Sequence, residues 1–277
     1  LTAVACTLCL DPKAVRQLDA KLNLFTCGAC DHRFTIKRPE DHEVYEEEYY
    51  LEKHTNWFAN PNTGLFEWVR RRILAEKGTG PLTLLDVGCG NGDFLKHLAG
   101  RHTELELWGI DSLKLSHPGV RFIQGDFFLE PAGRRFDIVC NFMVIEHIQD
   151  PIGFVKRLDE CLAPDGLMIL STNNEGGMLY TIGRVLRSVG ARFVFDRLYS
   201  DHHLNHFTNR SLKGLLERHG FEVIHLKNHN YPLAAVDTPP AHGLVKAFYL
   251  AAVWGVFRLS ELCGNAFLQT LICRKKR

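Results

Sequence analysis

The sequence predicts an α/β chain: a doubly wound, mostly parallel sheet with a small metal-stapled module ahead of it. Three observations lead there. Residues 82–87 (Leu82 to Val87) form a short, mostly apolar run without alternation, as expected of a central parallel strand covered on both faces. Gly88, Gly90 and Gly92 follow at alternate positions and lead straight into a helix beginning near Asp93. At the N-terminus, Cys6-Thr7-Leu8-Cys9 and Cys27-Gly28-Ala29-Cys30 make two C-x2-C pairs seventeen residues apart, a spacing suited to a four-cysteine zinc site.

In chain order, residues 1–37 read as the zinc ribbon. Two thiolates per knuckle place four sulfurs tetrahedrally, and so short a segment draws its folding energy from the metal. With no open position, Cys6, Cys9, Cys27 and Cys30 are expected to hold a structural Zn2+. Residues 38–80 read as a helical lid or linker. Tyr45, Tyr49, Tyr50, His54, Trp57 and Phe58 are interspersed with acids there, as in a lid closing on a ligand or a helix laying aromatics on the core. Residues 65–75 have helical periodicity, with Leu65, Trp68, Val69 and Ile73 on one face and Arg70 to Arg72 on a solvated one.

The main domain is expected over 81–277. Strands are read at 82–87, 105–111, 120–127, 136–148 (strand and loop together), 167–172, 221–226 and 266–273, the last of them antiparallel. Helices are expected at 93–99, 151–163, 179–189 and 211–219. Residues 176–210 and 230–262 read as insertions on the acceptor side. Within the second, 243–259 is unusually apolar, but Lys246 and Arg258 bracket fewer than the twenty or so residues a membrane span needs. It is read as a packing helix, with an acceptor cover, a dimer face or a peripheral membrane contact as alternatives.

Composition narrows the class. Apolar residues at 45% and charged residues at 23% are those of a globular domain, and a net charge of +1 argues against a nucleic-acid partner. Of nine cysteines, the five outside the ribbon (Cys89, Cys140, Cys161, Cys263, Cys273) read as buried free thiols. That usage suits a reducing cytoplasm, and no signal peptide is expected at residues 1–10.

The run Asp86-x-Gly88-x-Gly90-x-Gly92 resembles motif I of class I S-adenosylmethionine (SAM) methyltransferases. The resemblance continues through Asp111, Gly125-Asp126-Phe127 and Phe136-Asp137-Ile138-Val139. It covers 81–172 well and implies a Rossmann-like, seven-stranded sheet. It further implies that Asp86 faces the amino and sulfonium groups of SAM and that Asp111 accepts from the ribose. Asp126 and Phe127 would hold the adenine, with Asn141 and Phe142 beside the methionine end. Glu146-His147 is similar to the loop found in ubiquinone-biosynthesis O-methyltransferases and sugar C-methyltransferases. On that basis His147 is the expected base, Glu146 its partner and His206, or His203, the second choice. A metal on the 202–206 histidines is not expected, because the local sequence offers no suitably spaced acidic partner. The implied acceptor is a small molecule such as a sugar, glycan or phenol. A ribbon-bearing RNA methyltransferase and a non-catalytic SAM-binding regulator are the alternatives, and a homo-oligomer is compatible with either.

Overall fold

The computed structural model describes residues 4–36, 55–101, 104–114, 116–130, 133–199, 203–238 and 243–276. The expected lid aromatics Tyr45, Tyr49, Tyr50 and His54 lie outside the described residues, as does His202.

The ribbon contributes β1 (Val15–Asp19), β2 (Leu24–Cys27) and β3 (His32–Thr35), paired antiparallel in that order. Helices α1 (Thr55–Ala59) and α2 (Thr63–Lys77) follow, the second capped by Asn62, whose side chain accepts from the Leu65 amide at 3.1 Å. Next come β4 (Leu82–Val87), α3 (Asp93–Ala99), β5 (Leu105–Asp111), β6 (Val120–Gln124) and β7 (Phe136–Phe142). Helix α4 (Pro151–Glu160) starts with Pro151 in its first turn and Asp150 as cap. The chain continues through β8 (Leu162–Asn173), α5 (Met178–Ser188), α6 (Phe193–Leu198) and β9 (Asn205–His206). It ends with α7 (Asn209–Arg218), β10 (Phe221–His229), α8 (Gly243–Leu262) and β11 (Leu268–Lys275).

Seven strands form one sheet in the order β10-β11-β8-β7-β4-β5-β6, parallel except where β11 meets both neighbours. Neighbouring residues of the central strand serve opposite faces. Leu84 belongs to a core shared with α2 and α3 (Ile73, Phe94, Leu95), while Leu85 belongs to the core of the other face, shared with α4 and α7 (Val155, Leu158, Leu215). This two-sided burial is why the strand sequences are apolar without alternation.

Several features differ from expectation: helix α4 ends at Glu160 rather than near 163, β10 runs on to His229, and β11 is shifted to Leu268–Lys275. Strand β8 begins five residues early, so the Pro164-Asp165-Gly166 turn lies within it. Helix α8 runs three residues further, to Leu262. Of the five scattered thiols, Cys140, Cys161 and Cys273 are buried, Cys89 is half-buried and Cys263 is exposed.

The ribbon is sewn into the larger domain. Strand β3 pairs antiparallel with β9, Arg33 opposite His206, which makes a four-stranded sheet from segments far apart in sequence. Cys6, Leu8 and Phe34 share one core with α4 and α7.

Candidate active site

The C-terminal ends of β4, β5 and β7 are where an open parallel sheet binds its ligand, because the strand order reverses there. Gly88, Gly90 and Gly92 have φ of +67°, +50° and +70°, a region closed to most side chains. At Gly88 the space is closed as well, since a Cβ there would stand 2.6 Å from Val144 Cγ2. The loop is tied to the neighbouring strand: the Gly88 amide donates to Ile110 O at 2.8 Å, and the Gly90 amide donates to Asp111 Oδ2 at 2.7 Å. Asp111 Oδ1 accepts from the Leu113 amide at 2.9 Å, leaving Oδ2 room for a second donor.

Asp86 is buried at the end of β4. Desolvation pushes its carboxyl up to about 8, partly opposed by the Cys140 thiol and reinforced by Asp111. A carboxyl so placed is poised to ionise when a cation arrives. On β7, Asn141 is fully buried, yet neither its amide nitrogen nor its oxygen has a partner among the described residues. Orphaned polar atoms in a core are uncommon and point to a missing ligand. Phe142 beside it packs on Phe94 at 4.8 Å. The glycine cradle, two carboxylates and the unsatisfied amide together fit SAM.

The described part of the expected lid lies over this cradle, with Phe58 of α1 at 3.8 Å from a Cβ built on Gly90. The two residues expected at the adenine are placed differently from each other. Asp126 is exposed and spends Oδ1 on the Phe128 amide at 2.8 Å, whereas the Phe127 ring packs edge-on against Phe154 at 5.8 Å.

Beyond β7, Met143 takes φ +59°, a strained setting for a non-glycine residue, and its amide donates to Ser171 O at 2.8 Å. That kink delivers the 3-10 turn Ile145–His147. Glu146 points inward and is wholly buried: Oε2 accepts from Thr172 Oγ1 at 2.8 Å, and Oε1 has no hydrogen-bond partner among the described residues. Burial raises its carboxyl to about 7. His147 lies edge-to-face on His203 at 4.8 Å, and one ligand atom from each of Glu146, His147 and His203 falls within 4.8 Å of the others. The carboxylate that joins His203 is thus supplied by the fold, from a loop more than fifty residues upstream. Such a group can accept a proton or hold a cation.

His206 is positioned otherwise. It is buried in β9, with Nε2 3.5 Å from Thr35 Oγ1 and its ring on Tyr199 at 4.7 Å, and burial lowers its pKa to about 3. Asn205, which the sequence reading passed over, joins ribbon to loop. Its Nδ2 donates to Ile148 O at 2.6 Å, and its Oδ1 lies 3.1 Å from His32 Nε2.

The four ribbon cysteines converge as their spacing predicts. Cys6 and Cys30 sulfurs are 3.5 Å apart, as are those of Cys9 and Cys27, and all four lie within 4.8 Å. Sulfurs at these separations suit a tetrahedral ion with metal–sulfur bonds of about 2.3 Å. A cavity of about 630 Å3 lies at the opposite strand ends among Glu76, Lys77, Arg135 and Arg274, away from the glycine cradle.

A seven-stranded sheet of this order, with glycines and acids at its ligand edge, defines a class I SAM-dependent methyltransferase. A family model for a methyltransferase domain matches residues 59–226, and the chain belongs to that family. It is 30% identical over 160 residues to a ubiquinone biosynthesis O-methyltransferase of Cereibacter sphaeroides, covering 53% of this chain and 62% of that one. It is 29% identical over 136 residues to the enzyme of that name from Ruegeria pomeroyi, covering 45% and 54%. The chain therefore spans little more than half the length of these relatives. Two solved structures share the fold: a SAM-dependent methyltransferase of Archaeoglobus fulgidus (TM-score 0.52, 16% identity, 83% and 100% covered) and a cyclopropane synthase of Mycobacterium tuberculosis (0.51, 16%, 77% and 84%).

Proposed function

We propose that this methyltransferase alkylates a hydroxyl or acidic carbon of a small-molecule acceptor, a sugar, glycan or phenol, with His147 as general base. The observation that carries the reading is the Glu146–His147–His203 cluster, in which Glu146 and His147 come from the turn after β7 and His203 from the segment before β9. Bound SAM supplies an electrophilic methyl on a sulfonium. The protein's part is to hold the acceptor in line and take its proton. Asp86, Asp111 and Asn141 would bind the cofactor, with Phe142 against it and Phe127 and Asp126 at the adenine. The Glu146 carboxylate would orient His147, and His206 serves structure rather than chemistry. The net charge of +1 and the O-methyltransferase names of the relatives support a small acceptor over RNA.

The decisive experiment is a comparison of His147→Ala with the parent on a panel of sugar nucleotides, phenols and short RNAs. Turnover should fall about 100-fold or more while SAM affinity stays within about threefold. Comparable turnover would remove His147 from the mechanism. Transfer to RNA alone would make the ribbon a recognition module, and SAM binding without transfer would favour a regulator. The spacing of the three ligand atoms also supports a second reading, a divalent cation that polarises the acceptor oxygen. Loss of turnover in EDTA, restored by Mg2+ or Mn2+, would select it.

We further propose that Cys6, Cys9, Cys27 and Cys30 hold one structural Zn2+, and that the protein works in the cytoplasm, where such thiols stay reduced.

A further inference from the structure

Helix α8 is inserted between β10 and β11, and most of it is covered by nothing among the described residues. Its inner side is docked: Phe257 and Ser260 are buried, and Asn230 Nδ2 donates to Phe257 O at 3.1 Å. Its outer side is apolar. Leu244, Phe248, Ala251, Leu259 and Leu262 recur at helical spacing on one exposed stripe, flanked by Val245 and Trp254. Leu244 is 88% exposed, Leu262 81% and Phe248 77%, so these are not partly covered core residues. In the first turn and a half, 243–248, every position is exposed.

That last point selects the occupant. A folded partner covers a narrow stripe of a helix, whereas an outer surface apolar over so wide an arc is matched by the acyl-chain boundary of a membrane. The most apolar 18-residue window of α8 has a mean hydropathy of 1.3 and is only 11% buried. Lys246 and Arg258 have stems long enough to carry their charges back to a headgroup layer, and Trp254 is the residue type that favours such an interface. Helix α5, which packs on α8, and the turn into α6 expose Val185, Val189 and Phe193 as well.

The connections decide how the helix meets the bilayer. At 20 residues it is about 30 Å long, enough to cross a hydrocarbon core. Yet His229 and Leu268 are paired neighbours, so both strands flanking the insertion lie on one side. With Phe257 docked and Val236 buried, a crossing helix would need residues 237–242 to span back. Six residues reach about 22 Å at most and include Asp237, Pro239, Pro240 and His242. They can neither cross nor be accommodated in lipid.

We propose that α8 is a monotopic membrane anchor, lying in the boundary between headgroups and acyl chains with its outer stripe in the chains. The anchor is close to the site: Phe257 meets Tyr231 at 5.3 Å, Tyr231 meets Trp57 at 5.3 Å, and Trp57 is on α1, which covers the glycine cradle. Docking through α8 holds the cover of the cofactor site against the membrane. The inference is independent of which acceptor is methylated.

The test uses the full chain and unilamellar vesicles of phosphatidylcholine with phosphatidylglycerol. The protein should co-sediment with them, and vesicles of brominated phosphatidylcholine should quench fluorescence that Trp254→Phe removes. Leu244→Asp combined with Phe248→Asp should weaken vesicle partition at least tenfold while SAM affinity and the unfolding midpoint stay unchanged, as both side chains are exposed. Three results would overturn the proposal. One is absence from the vesicle pellet. Another is equal partition of parent and variant that is abolished in high salt, which would leave a charge attraction alone. The third is a lipid-free dimer in which Trp254 is protected, which would assign the stripe to a second copy of the chain.

Discussion

Arg33 of the ribbon sheet forms an ion pair with Glu175, a fully buried carboxylate just beyond β8 in the methyltransferase domain. The same carboxylate receives Arg184 of α5 and the Tyr199 hydroxyl, and the Glu175 amide donates to Phe207 O at 2.8 Å. Three segments distant in sequence thus share one buried negative charge.

Breaking such a pair strands the remaining charges. Glu175→Ala should lower unfolding free energy by about 3–5 kcal/mol in urea titration. Glu175→Gln, which keeps an acceptor but loses the charge, should cost less. Equal and small effects in both would show that the cluster is solvated rather than integral.

Zinc removal should be felt at the reaction site. Asn205 links His32 of the ribbon to Ile148, next to His147, and the Leu204 amide donates to Glu146 O at 2.8 Å. Chelation of one zinc per chain should therefore abolish transfer while reducing SAM affinity far less, because the glycine cradle is on β4 and β5. Hydrogen exchange should quicken over β3 and β9 first. Full activity after metal loss would show that β9 is held without the ribbon.

Asp86 gives a pH signature. Its carboxyl sits at about 8 in the folded protein, against 3.8 as the usual value. The folded state therefore keeps a proton that the unfolded chain has released, and stability of the SAM-free protein declines as pH rises from about 4 to about 8. Asp86→Asn removes that dependence. The variant should unfold at a higher temperature than the parent at pH 8, match it near pH 4, and bind SAM at least about tenfold more weakly. A gap between the two proteins that does not change with pH would refute the assignment.

Gly88→Ala should impair cofactor binding through backbone strain and contact together. The added methyl meets Val144 at 2.6 Å in a residue held at φ +67°. Val144→Ala in the same chain relieves the contact but not the torsion, so it should restore SAM affinity only in part, as measured by calorimetry. Complete restoration would leave φ without a role.

Legibility in the sequence followed the range of the interactions. The parallel strands could be read because two-sided burial writes a mostly apolar run without alternation at 82–87 and again from Phe136. The glycine cradle could be read because φ > 0 admits few other residues. The four cysteines announced themselves by spacing. What escaped is what the chain assembles across distance. Strand β9 is only two residues long and carries no propensity signal, since its pairing with Arg33 defines it. His203 gains its acidic neighbour from residue 146, and no local pattern reports that. Helix α8 runs past Leu259 because the polar Ser260 and Glu261 end the apolar run without ending the helix.

The direct pairing of His229 with Leu268 has a consequence for how such a chain can change. Residues 230–267 depart from and return to adjacent points on one sheet edge, so their length and character do not alter the register of the strands. Loop-closure cost grows only slowly with length. The chemistry end of the sheet and the outward-facing layer are thus free to diversify separately. A lineage could exchange the whole excursion for another surface and keep the same methyl-transfer core.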